Sequence, residues 1–215
     1  MNSPVVLHLK VPKGNDKGPI AAEAMFAGLA EIFREKPTTL SFEIAVHKGF
    51  LYFLLVCEST IIDLVKGQIF AQYPNIEAEP VDNYTRELTE TSIVGEVRLE
   101  RPDIYSVKNY RELETDFLTS FSGMASSVSK DTLLGVQLIV QPVNKDAIAY
   151  KLNRMVKNYW LEQTRKNSTF GDQLRDNEQK KWEKPLFKAC LRCVASAGNQ
   201  SELLTTSVVS LFKML

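Results

Sequence analysis

Val5, Leu7, Leu9 and Val11 alternate with Val6, His8 and Lys10, the period of two that gives a strand one core face, and Pro12 ends the run. From Pro19 to Glu35, Ala22, Phe26, Leu29, Ala30 and Phe33 recur at helical spacing, and Pro37 turns Lys36 away from helical geometry. Leu40, Phe42, Ile44 and Val46 alternate next. His47-Lys48-Gly49 then offers a turn with a glycine suited to positive φ, and Phe50 to Val56 follows as the second arm of a hairpin. Ser59 and Thr60 are placed to cap a helix with Ile62, Val65, Ile69 and Phe70 inward. Pro74-Asn75 closes that helix before a short strand from Ile76 to Val81, where Pro80 fits only an edge.

The first 85 residues thus predict β-α-β-β-α-β, the order of a ferredoxin-like sandwich with both helices on one face and the first and third strands central. Phe50 to Val56 is almost wholly apolar, which predicts cover on both faces of the sheet. Asn83 to Ser92 is polar and reads as a connector.

A second copy of the pattern occupies residues 93 to 215. It has a strand around Val94 to Leu99, then a helix striped by Phe117, Leu118, Phe121, Met124, Ala125 and Val128. A strand with Leu134, Val136, Leu138 and Val140 inward follows. A helical insertion, residues 146 to 184, interrupts it with a stripe of Ile148, Leu152, Met155, Val156 and Tyr159 and then a polar stretch. Phe187, Ala189, Leu191 and Cys193 resume the alternation, and Leu204, Val208, Leu211, Phe212 and Leu215 mark a last helix. The predicted class is α+β: tandem ferredoxin-like βαββαβ sandwiches, the second lacking its last strand. That missing strand predicts an open sheet edge and a chain that is the front part of a longer protein.

Composition narrows the classes without choosing among them. The 215 residues are 44% hydrophobic and 24% charged, with 26 basic side chains balancing 26 acidic ones, so no global field draws the chain to nucleic acid. The charge is uneven: residues 1 to 149 carry an acidic excess and residues 150 to 184 a basic one. No apolar run is long enough to span a membrane, and three cysteines do not make a disulfide framework. The expectation is a cytoplasmic protein, held at the inner face of a membrane only through partners.

Candidate chemistry is sparse. No phosphate loop and no G-x-G-x-x-G is present, so the backbone amides that cradle nucleotide phosphates are missing. His8 and His47 have no metal-ligand spacing and read as surface or packing residues. Cys190-Leu-Arg-Cys193 has the C-x-x-C spelling but falls mid-strand, where residues three apart point to opposite faces, so these cysteines and Cys57 read as structural. Glu77 with Glu79 and Glu96 with Glu100 read as solvated strand faces. No catalytic residue, metal site or cofactor is expected, and the chain is not expected to be an enzyme. The basic segment is the one candidate for ligand contact: Lys151, Arg154, Lys157, Lys180, Lys181 and Lys184 interleaved with Trp160 and Trp182 suit phosphate contact and base stacking on single-stranded DNA. A solvated helix anchored by two tryptophans is the competing reading.

Several short strings resemble a known family. Leu7-His-Leu-Lys-Val-Pro12, Ala21-Ala-Glu-Ala-Met-Phe26, Gln68-Ile-Phe-Ala-Gln-Tyr-Pro74, Val81-Asp-Asn-Tyr-Thr85, Glu114-Thr-Asp-Phe-Leu118, Gly135-Val-Gln-Leu-Ile-Val-Gln-Pro142 and Lys184-Pro-Leu-Phe187 with Leu191-Arg192 resemble, in order, the N-terminal region of bacterial type IV secretion, conjugative DNA transfer family ATPases of the coupling-protein-like kind. The family's Asp-Pro-Leu string is Asp116-Phe-Leu118 here. The resemblance implies a non-catalytic assembly or docking module ahead of a hexameric ATPase motor whose Walker motifs lie outside this sequence. Implied partners are that motor, protein components of a secretion or conjugation complex, and single-stranded DNA, with homo-oligomers among the options. A free-standing interaction or scaffold protein that completes its sheet with a partner chain is the alternative.

Overall fold

The period-two segments all become strands, and the order in which they pair is what positions everything else. The computed structural model describes residues 3–99, 107, 117–144, 157, 161, 181 and 183–212. Its strands are β1 (Pro4–Lys10), β2 (Leu40–His47), β3 (Phe50–Glu58), β4 (Glu77–Val81), β5 (Ile93–Val97), β6 (Leu133–Pro142) and β7 (Phe187–Ser196). Among the described residues, four α-helices have both ends in view: α1 (Pro19–Ile32), α2 (Ile62–Gln72), α3 (Phe117–Ser127) and α4 (Ser201–Leu211). The protein is α+β, and its described strands form one seven-stranded sheet of order β4-β1-β3-β2-β6-β7-β5, every neighbouring pair antiparallel. The sequence pattern left its two units separate; in the structure β2 and β6 join them, with Leu40 opposite Val140 and Val46 opposite Leu134.

These four helices cover one face. Leu7, Leu40, Leu55 and Val140 from the strands pack with Met25, Leu29 and Phe33 of α1 and its end and with Val65 and Ile69 of α2. Further along the same face, Val46, Leu134, Val136 and Cys193 pack with Phe121 of α3 and Leu204 and Val208 of α4. Each such buried side chain stabilises by about 1.5–3 kcal/mol. The insertion departs and returns at one end of the β6–β7 pair, where Val143 N donates to Leu186 O at 2.9 Å.

Local chemistry explains the boundaries and corrects some expectations. Pro19 opens α1, where its missing N–H costs nothing, and the helix ends at Ile32, short of Glu35. Of the predicted stripe, Leu29 and Phe33 are buried, Phe26 packs against the core and Ala22 and Ala30 are half-buried; Met25, which the stripe leaves out, is buried beside them. Ser59 and Thr60 do not cap α2: they form a 3-10 turn, no side chain caps the helix, and Thr60 donates to Glu58 instead. Phe70 lies outward. Lys48 and Gly49 both take positive φ, 52° and 79°, so the β2–β3 loop is a two-residue turn whose twist matches the strands it joins. Pro80 is on an edge strand, as its lost donor requires. Of the insertion, the apolar stripe from Ile148 to Tyr159 lies outside the described residues. No described helix is long and apolar enough to cross a membrane.

Candidate functional site

The second face of the sheet is crossed by the segment that runs from β4 at one edge to β5 at the other. The sequence marks this segment as polar, yet it carries Tyr84, which is 5% exposed and packs with Val6, Ala45, Leu54, Leu133 and Val194. This is the cover that the apolar β3 run calls for. Asn83 shapes the approach: its side chain accepts from the backbone N–H and the hydroxyl of Thr85 at 2.9 and 2.7 Å, turning the chain into a short 3-10 helix over Tyr84–Glu87. Gly135 makes room, since a Cβ there would lie 3.0 Å from the Tyr84 hydroxyl oxygen.

Beneath Tyr84, at the β2–β6 seam, Glu43 stands directly opposite Gln137. Glu43 is 5% exposed, and its carboxylate accepts from three neutral donors: Ser41 Oγ at 2.6 Å, Tyr84 OH at 2.7 Å and Gln137 Nε2 at 3.1 Å. Gln137 Nε2 also lies 3.1 Å from the Tyr84 oxygen and donates to it. Burial first, and then the Glu43 charge, hold the Tyr84 phenol far above its ordinary range. The donors fill the space around the carboxylate, which fits a clamp between connector and sheet better than a group that meets substrate.

A second tie lies further along the connector. His47 Nε2 donates to Glu87 Oε2 at 2.7 Å, and Lys48 Nζ approaches Glu87 Oε1 at 3.2 Å. The His47 bond, then the Lys48 bond, depress the Glu87 carboxyl below the usual carboxylate range. Thr89 meets Ser196 of β7 at 3.4 Å. His8, the other histidine, packs edge-on to Tyr52, and burial followed by the nearby Lys10 charge lowers its pKa. Glu79 is ion-paired with Lys10 rather than standing with Glu77 as a carboxylate pair.

The C-x-x-C pair divides as its spacing requires. Cys193 is buried in the helix-covered core, while Cys190, opposite Ile139, is on the other face and only half-buried. Burial pushes the Cys193 thiol up to about 11 and raises Cys57 as well.

Of the basic residues singled out in the sequence, Lys151, Arg154, Trp160, Lys180 and Trp182 lie outside the described residues. Lys157 is helical and exposed, Lys181 is helical and half-buried, and Lys184 reaches Glu23 of α1 at 3.3 Å. A hollow of about 30 Å³ between the Val11–Lys17 loop and Tyr73–Ile76 has room for little more than a water molecule.

The edges of the sheet differ. β4 closes one, carrying Pro80 and the charged Glu77 and Glu79. At the other, β5 pairs with β7 through Ile93 opposite Ala195 to Val97 opposite Leu191, and no described strand lies on its outer side. α4 packs over β5 and β7 together, with Thr205 so close to Gly95 that a Cβ there would sit 2.7 Å from its methyl carbon. The element order of the sequence predicts a strand position left unfilled here, and among the described residues no strand fills it. It does not reveal the Glu43–Tyr84 clamp, because Glu43 looks like any outward polar residue of an alternating strand.

The chain belongs to the family described as a domain of unknown function, DUF8128, whose model matches residues 3–201 and so spans both halves of the sheet. No curated protein and no solved structure matches it significantly.

Proposed function

We propose that the chain is a non-catalytic assembly and docking module whose attachment point is the outer side of β5. The supporting observation is the strand order. β4-β1-β3-β2 is the order of a complete βαββαβ unit, and β6-β7-β5 is the same order in mirror sequence with the fourth position, next to β5, unfilled by any described residue. On this reading the sheet is two ferredoxin-like units joined through β2 and β6. An unpaired edge takes up an extended segment by backbone hydrogen bonding, with side-chain alternation setting specificity.

The string resemblance supports one assembly for this module: a type IV secretion-like DNA transfer machine, with this region ahead of its ATPase motor. Such a module holds and positions, and leaves hydrolysis to the motor. The test is to read the gene and its immediate neighbours beyond the codon for Leu215. A phosphate-loop sequence followed by a RecA-like pattern supports the assignment; its absence from both the same frame and the adjoining genes contradicts it. The β5 edge, unfilled by any described strand, equally favours a second reading, a scaffold whose sheet is completed by another chain, and that reading does not depend on the gene's surroundings.

A further inference from the structure

We propose that the corner of the second sheet face formed by β1 and the start of β3 binds single-stranded nucleic acid, stacking bases on Phe50 and Tyr52. This site is separate from both the β5 edge and the basic segment, and it does not depend on the docking reading.

A spelling and its place in the fold point to it together. Lys48-Gly-Phe-Leu-Tyr-Phe-Leu-Leu55 follows the pattern K/R-G-F/Y-G/A-F-V-x-F/Y, which four-stranded sheets that read single strands use to present aromatic rings to bases. β3 lies beside β1 in the middle of the first four strands, where those rings stand on an open face. Gly49 takes a φ of 79°, the conformation that favours a glycine at the turn. Tyr52 keeps a ring at the second aromatic place. The departures are Leu51 for the small residue, Phe53 for the valine and Leu55 for the last aromatic. They alternate with Phe50 and Tyr52 and so point to the helix-covered face, where Leu55 is fully buried and an apolar side chain suffices.

The geometry suits stacking. Phe50 and Tyr52 share a face with His8 of β1, whose ring meets that of Tyr52 edge-on with centroids 5.0 Å apart. Phe50 is 67% exposed, and Tyr52 and His8 are half-buried. The connector packs as far as Tyr52 through Tyr84 and Leu88 and leaves Phe50 in solvent. Side chains two apart on a strand stand about 6.6 Å from each other, a gap that adjacent bases span when splayed apart. Lys48 and Lys130 flank the turn: a Cβ on Gly49 would lie 3.3 Å from the Lys130 side chain. Both lysines are exposed and suit a phosphate backbone that passes the rings. Lys48 already approaches Glu87 at 3.2 Å, so stacking supplies more of the binding than charge does.

Fluorescence anisotropy of the full chain with labelled oligo(U), oligo(dT) and an abasic strand, each about eight nucleotides long, tests the site. The wild type is expected to bind at least one base-bearing strand, and the abasic strand far more weakly. Phe50→Ala and Tyr52→Ala are each expected to weaken binding by about five- to a hundredfold, while Phe50→Tyr and Tyr52→Phe retain it. Phe50→Ala alters an exposed side chain, so circular dichroism is expected to match the wild type and the loss is read on a folded protein. Replacing Lys180, Lys181 and Lys184 by Glu is expected to leave the Phe50-dependent binding in place, with a shallow salt dependence. Tighter binding of oligo(U) names RNA as the source of the bases and tighter binding of oligo(dT) names DNA, and either supports the site. A wild type that binds neither strand at low ionic strength overturns it and leaves Phe50 as a protein contact. So does a Phe50→Ala variant that binds as well as the wild type, or an abasic strand held as tightly as the others.

Discussion

The hydroxyl of Tyr84 lies 2.7 Å from Oε2 of Glu43, joining the connector to a strand 41 residues earlier. Both groups are buried, and Gln137 donates to both, so three side chains from three segments meet where the two halves of the sheet are joined. A carboxylate withdrawn from water depends on such donors to replace the hydrogen bonds of the solvent. The clamp therefore ties the path of the connector to the β2–β6 seam.

Removing one donor exposes that dependence. Tyr84→Phe keeps the ring packing and deletes the bond, and is expected to lower unfolding free energy by about 1–3 kcal/mol. Urea denaturation followed by circular dichroism measures it. Gln137→Leu combined with Tyr84→Phe is expected to be non-additive, since both act on one carboxylate.

The same phenol gives an alkaline signature. Burial and the Glu43 charge raise its pKa in the folded state, whereas in the unfolded chain it ionises near about pH 10. The unfolded state therefore loses a proton that the folded state keeps. The stabilisation is fully present below about pH 10 and falls by about 1.4 kcal/mol per pH unit above it. Unfolding titrations between pH 9 and 11 are expected to show a shallower decline for Tyr84→Phe. Tyr73, raised by burial in the same direction, contributes equally to both proteins.

Two glycines predict opposite outcomes. Gly28→Ala meets only the terminal amide of Gln68, which can turn aside, and it removes a flexible residue from the middle of α1. It is expected to leave stability unchanged or raise it by up to about 1 kcal/mol. Gly95→Ala drives a methyl into Thr205, which is buried and bonded through Oγ1 to Ser201 O at 2.8 Å. Its expected cost is about 1–3 kcal/mol, read as a lowered thermal midpoint.

The cysteines divide by face. Cys190 is expected to react with a thiol reagent in the native protein, and Cys57 and Cys193 only on unfolding, because both are buried and their thiols are held above the ordinary range. Counting titrated thiols with and without denaturant measures this. A native count of three would mean the helix-covered core opens.

The basic segment predicts weak, salt-sensitive binding of single-stranded DNA, lost on replacing Lys180, Lys181 and Lys184 by Glu. Fluorescence anisotropy with a labelled oligonucleotide across a salt series reads it. Binding that is unchanged in the triple variant, or missing at low ionic strength, rules out this role for the segment.

Much of the fold is legible in the sequence because strands and helices announce themselves by period. Val5 to Val11, Leu40 to Val46 and Leu134 to Val140 alternate cleanly and are strands, and the unbroken apolar run from Phe50 signals cover on both faces. What covers that face is not legible. The cover depends on one aromatic residue, Tyr84, in a polar stretch, and on Gly135 lying where a larger residue would block it. Periodicity also mistakes Phe70 for a core residue, since it registers the stripe of α2 without knowing how wide a face the sheet accepts. The β2–β6 pairing joins residues nearly a hundred positions apart, and no local pattern encodes that. The outer side of β5, where no described strand lies, is legible only as a strand missing from a repeated order of elements.

Amide hydrogen exchange of the dilute chain tests the docking account most directly by comparing strands within one sheet. The account predicts strong protection through the central strands β2, β3 and β6, and rapid exchange at the β5 amides that point away from β7, at dilutions where copies separate. Protection of those β5 amides equal to that of the central strands, independent of concentration, would show the edge already filled within a single chain and would contradict it.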